Sequence, residues 1–144
     1  MHRNLQLKLD EYLRGKVVYA WEAGVAPSDI IRVIKDRFNI VFTTATVLNL
    51  AISYFGDEYK IKKEQRRKMS SKLRSNKQLS TEIKNWIVNL VEQNHYSWKQ
   101  ILVMLRIANI EIKLSTIKST YQREKNLDTF FTELFMEEKQ SCHQ

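Results

Sequence analysis

Apolar positions recur at spacings of three and four through most of the chain, a period that predicts helices rather than strands. Leu9, Leu13, Val17, Ala20 and Trp21 form the first such stripe, which stops at Gly24, a residue suited to the left-handed turn that ends a helix. Pro27 and Ser28 restart the chain, and Ile30, Ile31 and Ile34 mark a second helix, since proline is tolerated in a first helical turn. After Phe38-Asn39-Ile40, the run through Thr44, Val47, Leu50, Ala51 and Tyr54 predicts a third.

The second half repeats this plan. Shifted by 70 positions, Leu13, Arg14, Val17, Val18, Ala20, Trp21, Glu22 and Gly24 fall on Ile83, Lys84, Ile87, Val88, Leu90, Val91, Glu92 and Asn94. One inserted residue later, Ile30, Ile31 and Ile34 fall on Ile101, Leu102 and Leu105; with that residue removed again, Thr46-Val47 falls on Thr116-Ile117. Such self-similarity points to two copies of one supersecondary unit. Ser80 or Thr81 is placed to cap the first helix of the second copy by accepting from an otherwise unpaired backbone N–H. Beyond it, Leu127, Phe130, Phe131, Leu134 and Phe135 predict an amphipathic helix whose other face carries Asp128, Glu133, Glu137 and Glu138, with a frayed tail after Lys139.

Composition narrows this to an all-α chain, because three Gly and one Pro in 144 residues leave too little punctuation for a sheet-rich fold. The expected division is a three-helix unit over 1–56, a basic linker over 57–78, a second unit over 79–126 and the acidic amphipathic helix and tail over 127–144. The linker holds Lys60, Lys62, Lys63, Arg66, Arg67, Lys68, Lys72, Arg74 and Lys77, and so carries most of the formal +8 of the chain. It is too poor in apolar residues to build a core, and is either a helix extending the first unit or a strap that orders on a partner. The single cysteine, Cys142, cannot form an internal disulfide, and no apolar run is long enough for a bilayer or a signal peptide. A reduced, intracellular setting is the expectation, nuclear in a eukaryote and otherwise cytoplasmic, with no membrane partner and no cofactor.

Concentrated positive charge between two matching units suits a phosphate backbone, which it would bind with steep salt dependence and little sequence preference. Base reading would fall to the third helix of each unit. In the second, Ile112 and Ile117 should point inward and leave Lys113, Ser115, Thr116, Lys118, Ser119, Gln122 and Arg123 outward. Arg and Gln pair bidentately with guanine and adenine, and Ser and Thr bond bases or phosphates. The first unit exposes Thr43, Thr44, Thr46, Asn49 and Ser53 but no Lys or Arg, and adds Leu48 and Ile52 as apolar surface, so a docking or dimer contact competes there with groove reading. The bland alternatives are a solvated face for the polar sets and a solubilising charge run for the linker. Trp21, Trp86 and Trp98 fit a core better than a base-stacking platform. Phe130, Phe131, Leu134 and Phe135 either pack back onto the second unit or contact a partner or a second copy. His2, His95 and His143 are isolated, no glycine-rich phosphate loop occurs, and an enzyme is not expected.

Arg14 to Gly24 with Ile30-Ile31 and Thr46-Val47, and then Glu82 to Asn94, Ser97 to Leu105 and Leu114-Ser115-Thr116-Ile117, carry a resemblance to the bipartite DNA-binding region of mariner-type transposases and paired-domain transcription factors. The resemblance spans roughly residues 9–125. It implies two homeodomain-like helix-turn-helix units and a long, two-part duplex target. It also implies base contacts from Thr44, Thr46 and Asn49 in one half and from Ser115, Thr116, Lys118, Ser119 and Gln122 in the other. The linker departs from the pattern in lacking a Gly-Arg-Pro element for the minor groove, and no transposase catalytic domain has a counterpart here. The expected function is therefore sequence-specific binding of double-stranded DNA, as a transcriptional or chromatin-associated adaptor. The alternative is a helical interaction subunit that docks through the first unit and the C-terminal helix; RNA is a third partner that the basic stretch admits.

Overall fold

The computed structural model of the chain describes residues 10–69 and 71–142, with side chains as far as Met136 apart from that of Ser71; Leu9, His2, His143 and the side chains of Glu137 and Glu138 lie outside it. Every regular element among the described residues is helical, so the chain is all-α. Helix α1 spans Glu11–Glu22 and is started by Asp10, whose carboxylate accepts from the Leu13 N–H at 2.9 Å. It ends where Gly24 takes φ +102°, a value that a side chain would resist. Pro27 opens α2, Pro27–Phe38, which stops at Asn39 in the left-handed conformation. Thr43 caps α3, Thr44–Phe55, by accepting from the Thr46 N–H at 3.3 Å.

A single 3-10 turn, Gly56–Glu58, feeds directly into α4, Tyr59–Arg67, so much of the basic stretch is helical. After a second short turn at Ser71–Leu73, Ser80 caps α5, Thr81–Glu92. A reciprocal capping box between Ser97 and Gln100 starts α6, Trp98–Ile107. The last helix, α7, runs from Leu114 to Cys142 without interruption. The sequence pattern placed a boundary at 126/127 and a frayed end after Lys139. With no Gly or Pro anywhere in Leu114–Cys142, nothing stops the helix at either point.

The chain divides into two compact units, Met1–Arg74 with Phe131–Gln144, and Ser75–Phe130. In the first, Leu13, Val17 and Trp21 of α1, Ile30 and Ile34 of α2, and Val47 and Ala51 of α3 are buried, along with Phe131 and Leu134 from the end of α7. Trp21 stacks on Tyr59 at 5.4 Å and meets Phe55 at 5.9 Å, which ties α4 to this core. The Phe-rich face, for which packing onto the second unit and contact with a partner or second copy were both open, packs in the first unit through Phe131 and Leu134. Phe135 meets Phe38 edge-on at 5.0 Å, and Arg37 donates to the Thr132 hydroxyl at 3.2 Å.

In the second unit, Ile87 and Leu90 of α5, Ile101 and Leu105 of α6, and Ile117 of α7 form the buried cluster. Val17 and Ile87, Ala20 and Leu90, Ile30 and Ile101, Ile34 and Leu105, and Val47 and Ile117 are buried alike in their respective units. Asn39 and Asn109, 70 positions apart, both take positive φ, at 56° and 63°. Among the described residues no helix is long and apolar enough to cross a membrane.

Candidate nucleic-acid interface

Burial of Ile117 fixes which way the first turns of α7 face. With that side chain fully enclosed, Ser115, Lys118, Ser119 and Gln122 are exposed, and their i, i+3, i+4, i+7 spacing makes one stripe. Lys113 is exposed just before the helix, while Thr116 and Arg123 are half-buried and Ile112 packs against the apolar cluster. Ser119 donates to the Thr116 carbonyl at 3.1 Å, and the Gln122 amide donates to Asn126 Oδ1 at 3.0 Å. Lys99 and Arg106 of α6 are exposed in the same unit, and Arg106, Glu111, Ile112 and Lys113 line a shallow depression beside the start of α7.

Two sets of polar contacts flank this helix within its unit, and neither was read from the sequence. On one flank the buried Lys84 ammonium donates to Ser75 Oγ at 2.6 Å, and Ser75 donates in turn to Glu124 Oε2 at 2.6 Å. Asn76 reaches the buried Thr120 hydroxyl at 3.4 Å beside them. On the other flank, Glu92 of α5 accepts from Tyr121 at 3.0 Å and pairs with Lys125 at 2.6 Å. Lys125 holds the Glu92 carboxyl below its ordinary value, while partial burial and the bond to Glu92 push the Tyr121 phenol up. A signal existed for the first set: Lys84 lies in the i, i+3 row of Ile87, and a lysine on a buried face needs a partner.

The basic stretch splits by role. Arg66 is half-buried, its guanidinium 4.8 Å over the Trp21 ring and donating to the carbonyl oxygens of Trp21 and Val25. Burial and the neighbouring Arg74 pull its pKa down to about 10, so it stays charged at neutral pH. It closes the end of α1, whose last carbonyls lack helical partners. Arg74 donates to the Arg66 carbonyl at 2.8 Å. Lys62 pairs with Glu22 at 2.7 Å and lies 5.4 Å over Phe55; the hydrogen bond to Glu22 raises its pKa. Arg67 pairs with Glu64 at 2.6 Å. Lys60, Lys63, Lys68 and Lys72 are exposed.

In the first unit Thr44 and Asn49 are exposed and Thr46 is half-buried, bonded to Thr43 at 3.2 Å. Leu48 is half-buried and Ile52 exposed. Phe131 and Leu134 are buried and Phe130 and Phe135 half-buried, so most of the apolar face of the C-terminal segment is spent inside the chain. Trp21 is fully enclosed, and Trp98 meets Tyr121 edge-on at 5.6 Å. Among the described residues no three His, Cys, Asp or Glu side chains converge as metal ligands would. No protein-family model, curated protein or solved structure matches the chain.

Proposed function

We propose that the chain holds two helix-turn-helix units, α1–α3 and α5–α7, and binds double-stranded DNA through the second, with the start of α7 as the groove-reading element. The observation that carries this reading is the exposed stripe Ser115, Lys118, Ser119 and Gln122, preceded by exposed Lys113, on a helix whose opposite face holds the buried Ile117. Short hydroxyl, amide and ammonium groups along the exposed face of a helix start suit the donor and acceptor pattern of major-groove edges. The matched buried positions and the matched Asn39 and Asn109 turns support two copies of one unit. The exposed lysines of the 57–78 stretch supply sequence-independent affinity by displacing counterions from phosphates. On this reading the role proposed for the chain is that of a transcriptional or chromatin-associated adaptor.

The outward face of α3 has no cation, which favours a protein contact over groove reading for the first unit. A competing reading, an interaction subunit with no nucleic-acid partner, draws on that same face. Selection of a preferred duplex from a random pool, followed by titration of Lys118→Ala and Gln122→Ala, separates the two. Each substitution is expected to cost about tenfold on the selected site and less on random duplex; equal affinity of wild type and variants for the selected site would remove α7 from the interface.

A further inference from the structure

The nineteen residues from Phe38 to Gly56 contain no Asp, Glu, Lys or Arg, in a chain of which 28% is charged. Burial explains only part of this gap, because Phe42, Val47 and Ala51 are the buried members. The outward positions, where charges ordinarily sit, are neutral as well: Val41 is 48%, Ile52 46% and Tyr54 71% exposed, and Thr44, Ala45, Asn49 and Ser53 are exposed beside them. At the corresponding positions of the second unit, 70 residues on, Val41, Leu48, Ile52 and Ser53 are replaced by Glu111, Lys118, Gln122 and Arg123.

We infer that this face of α3 is a self-association surface whose occupant is the same face of a second copy of the chain. Charge decides between a second copy and a different partner. Each molecule carries a formal +8, so two copies repel wherever their cations approach, and they approach best through a face without any. A two-fold contact also sets residues against their own symmetry mates, where any charge would meet its like. The hydroxyls of Thr44 and Ser53 and the amide of Asn49 each donate and accept, so they pair with identical groups, as an ammonium or carboxylate does not. A different partner would impose no such neutrality, because it could answer a lysine with a glutamate. Apolar area from Val41, Leu48 and Ile52 supplies the attraction, as charged residues are depleted from interface cores.

Sedimentation velocity of the full chain, without nucleic acid and over a concentration series, tests this independently of the DNA reading. Wild type is expected to pass from monomer to dimer in the range of roughly 1–100 µM. Ala45→Lys and Ile52→Lys, both at exposed positions, are expected to weaken the dimer by about tenfold or more with unchanged far-UV circular dichroism. Ile107→Lys, at a 78% exposed apolar position in the second unit, is expected to leave it unchanged. Raising salt is expected to tighten the dimer, because it screens the mutual repulsion. A wild type that stays monomeric throughout, a dimer that survives both α3 substitutions, or one that loosens as salt rises overturns the inference.

Discussion

Lys84 keeps its ammonium among side chains that exclude water, and it does so because Ser75 accepts a hydrogen bond from it while donating one to Glu124. Removing the ammonium leaves polar atoms in a site built around a charge, and such groups cost more unpaired than they contribute when paired. Lys84→Met is therefore expected to lower stability by about 1–3 kcal/mol, read as a shift in the midpoint of urea unfolding at constant slope. An unchanged midpoint would mean that the contact is replaced by water at no cost. Glu92 answers to pH instead. Its folded pKa lies below the ordinary value of 4.5 because Lys125 stabilises the carboxylate. The contact thus stabilises fully above the unfolded value and is lost as pH falls through the lowered folded one. The pair is partly exposed, so Glu92→Gln is expected to cost only about 0.5 kcal/mol at neutral pH, and the difference from wild type should vanish at low pH. A difference that persists there would assign the effect to packing.

At the level of elements, α4 shows how a run of like residues divides into structure and surface. Arg66 closes the end of α1 and lies over Trp21, whereas Lys60 and Lys63 face solvent. Arg66→Ala is expected to lower the unfolding midpoint, at a cost of about 2 kcal/mol. The double variant Lys60→Ala/Lys63→Ala should leave the midpoint within about 0.5 kcal/mol and reduce the salt dependence of duplex binding. Thermal unfolding and a salt titration of both variants check the division.

The sequence pattern foretold the helical class and where α1, α2, α3, α5 and α6 lie, because apolar stripes of period 3.6 and the signals at Ser80, Gly24 and Pro27 act locally. The continuity of α7 was not legible: a new amphipathic pattern beginning at Leu127 set the expected division at 126/127, whereas one helix runs through it from Leu114 to Cys142. Nor were the partners of Arg66, Lys84 and Glu92, since these side chains meet residues outside their own helices, and spacing along one helix carries no information about its neighbours. Of the candidate site, the outward placement of Ser115, Lys118, Ser119 and Gln122 was legible through the inward placement of Ile117, while the commitments of Arg66 and Lys62 were hidden inside an unbroken charge run.

For the whole molecule, the proposal joins three properties: net positive charge concentrated in 57–78, a polar stripe at the start of α7, and a neutral face on α3. A charge-driven association predominates at low salt and weakens steeply as salt rises, whereas the neutral contact between copies responds in the opposite sense. The most direct test of the central claim is a fluorescence-anisotropy titration of the full chain against random duplex DNA and single-stranded RNA, each at about 50 and 200 mM salt. Binding to both is expected to weaken with salt, with the duplex preferred at each concentration; negligible binding to either nucleic acid, or a preference for the single strand, would contradict duplex binding by this chain.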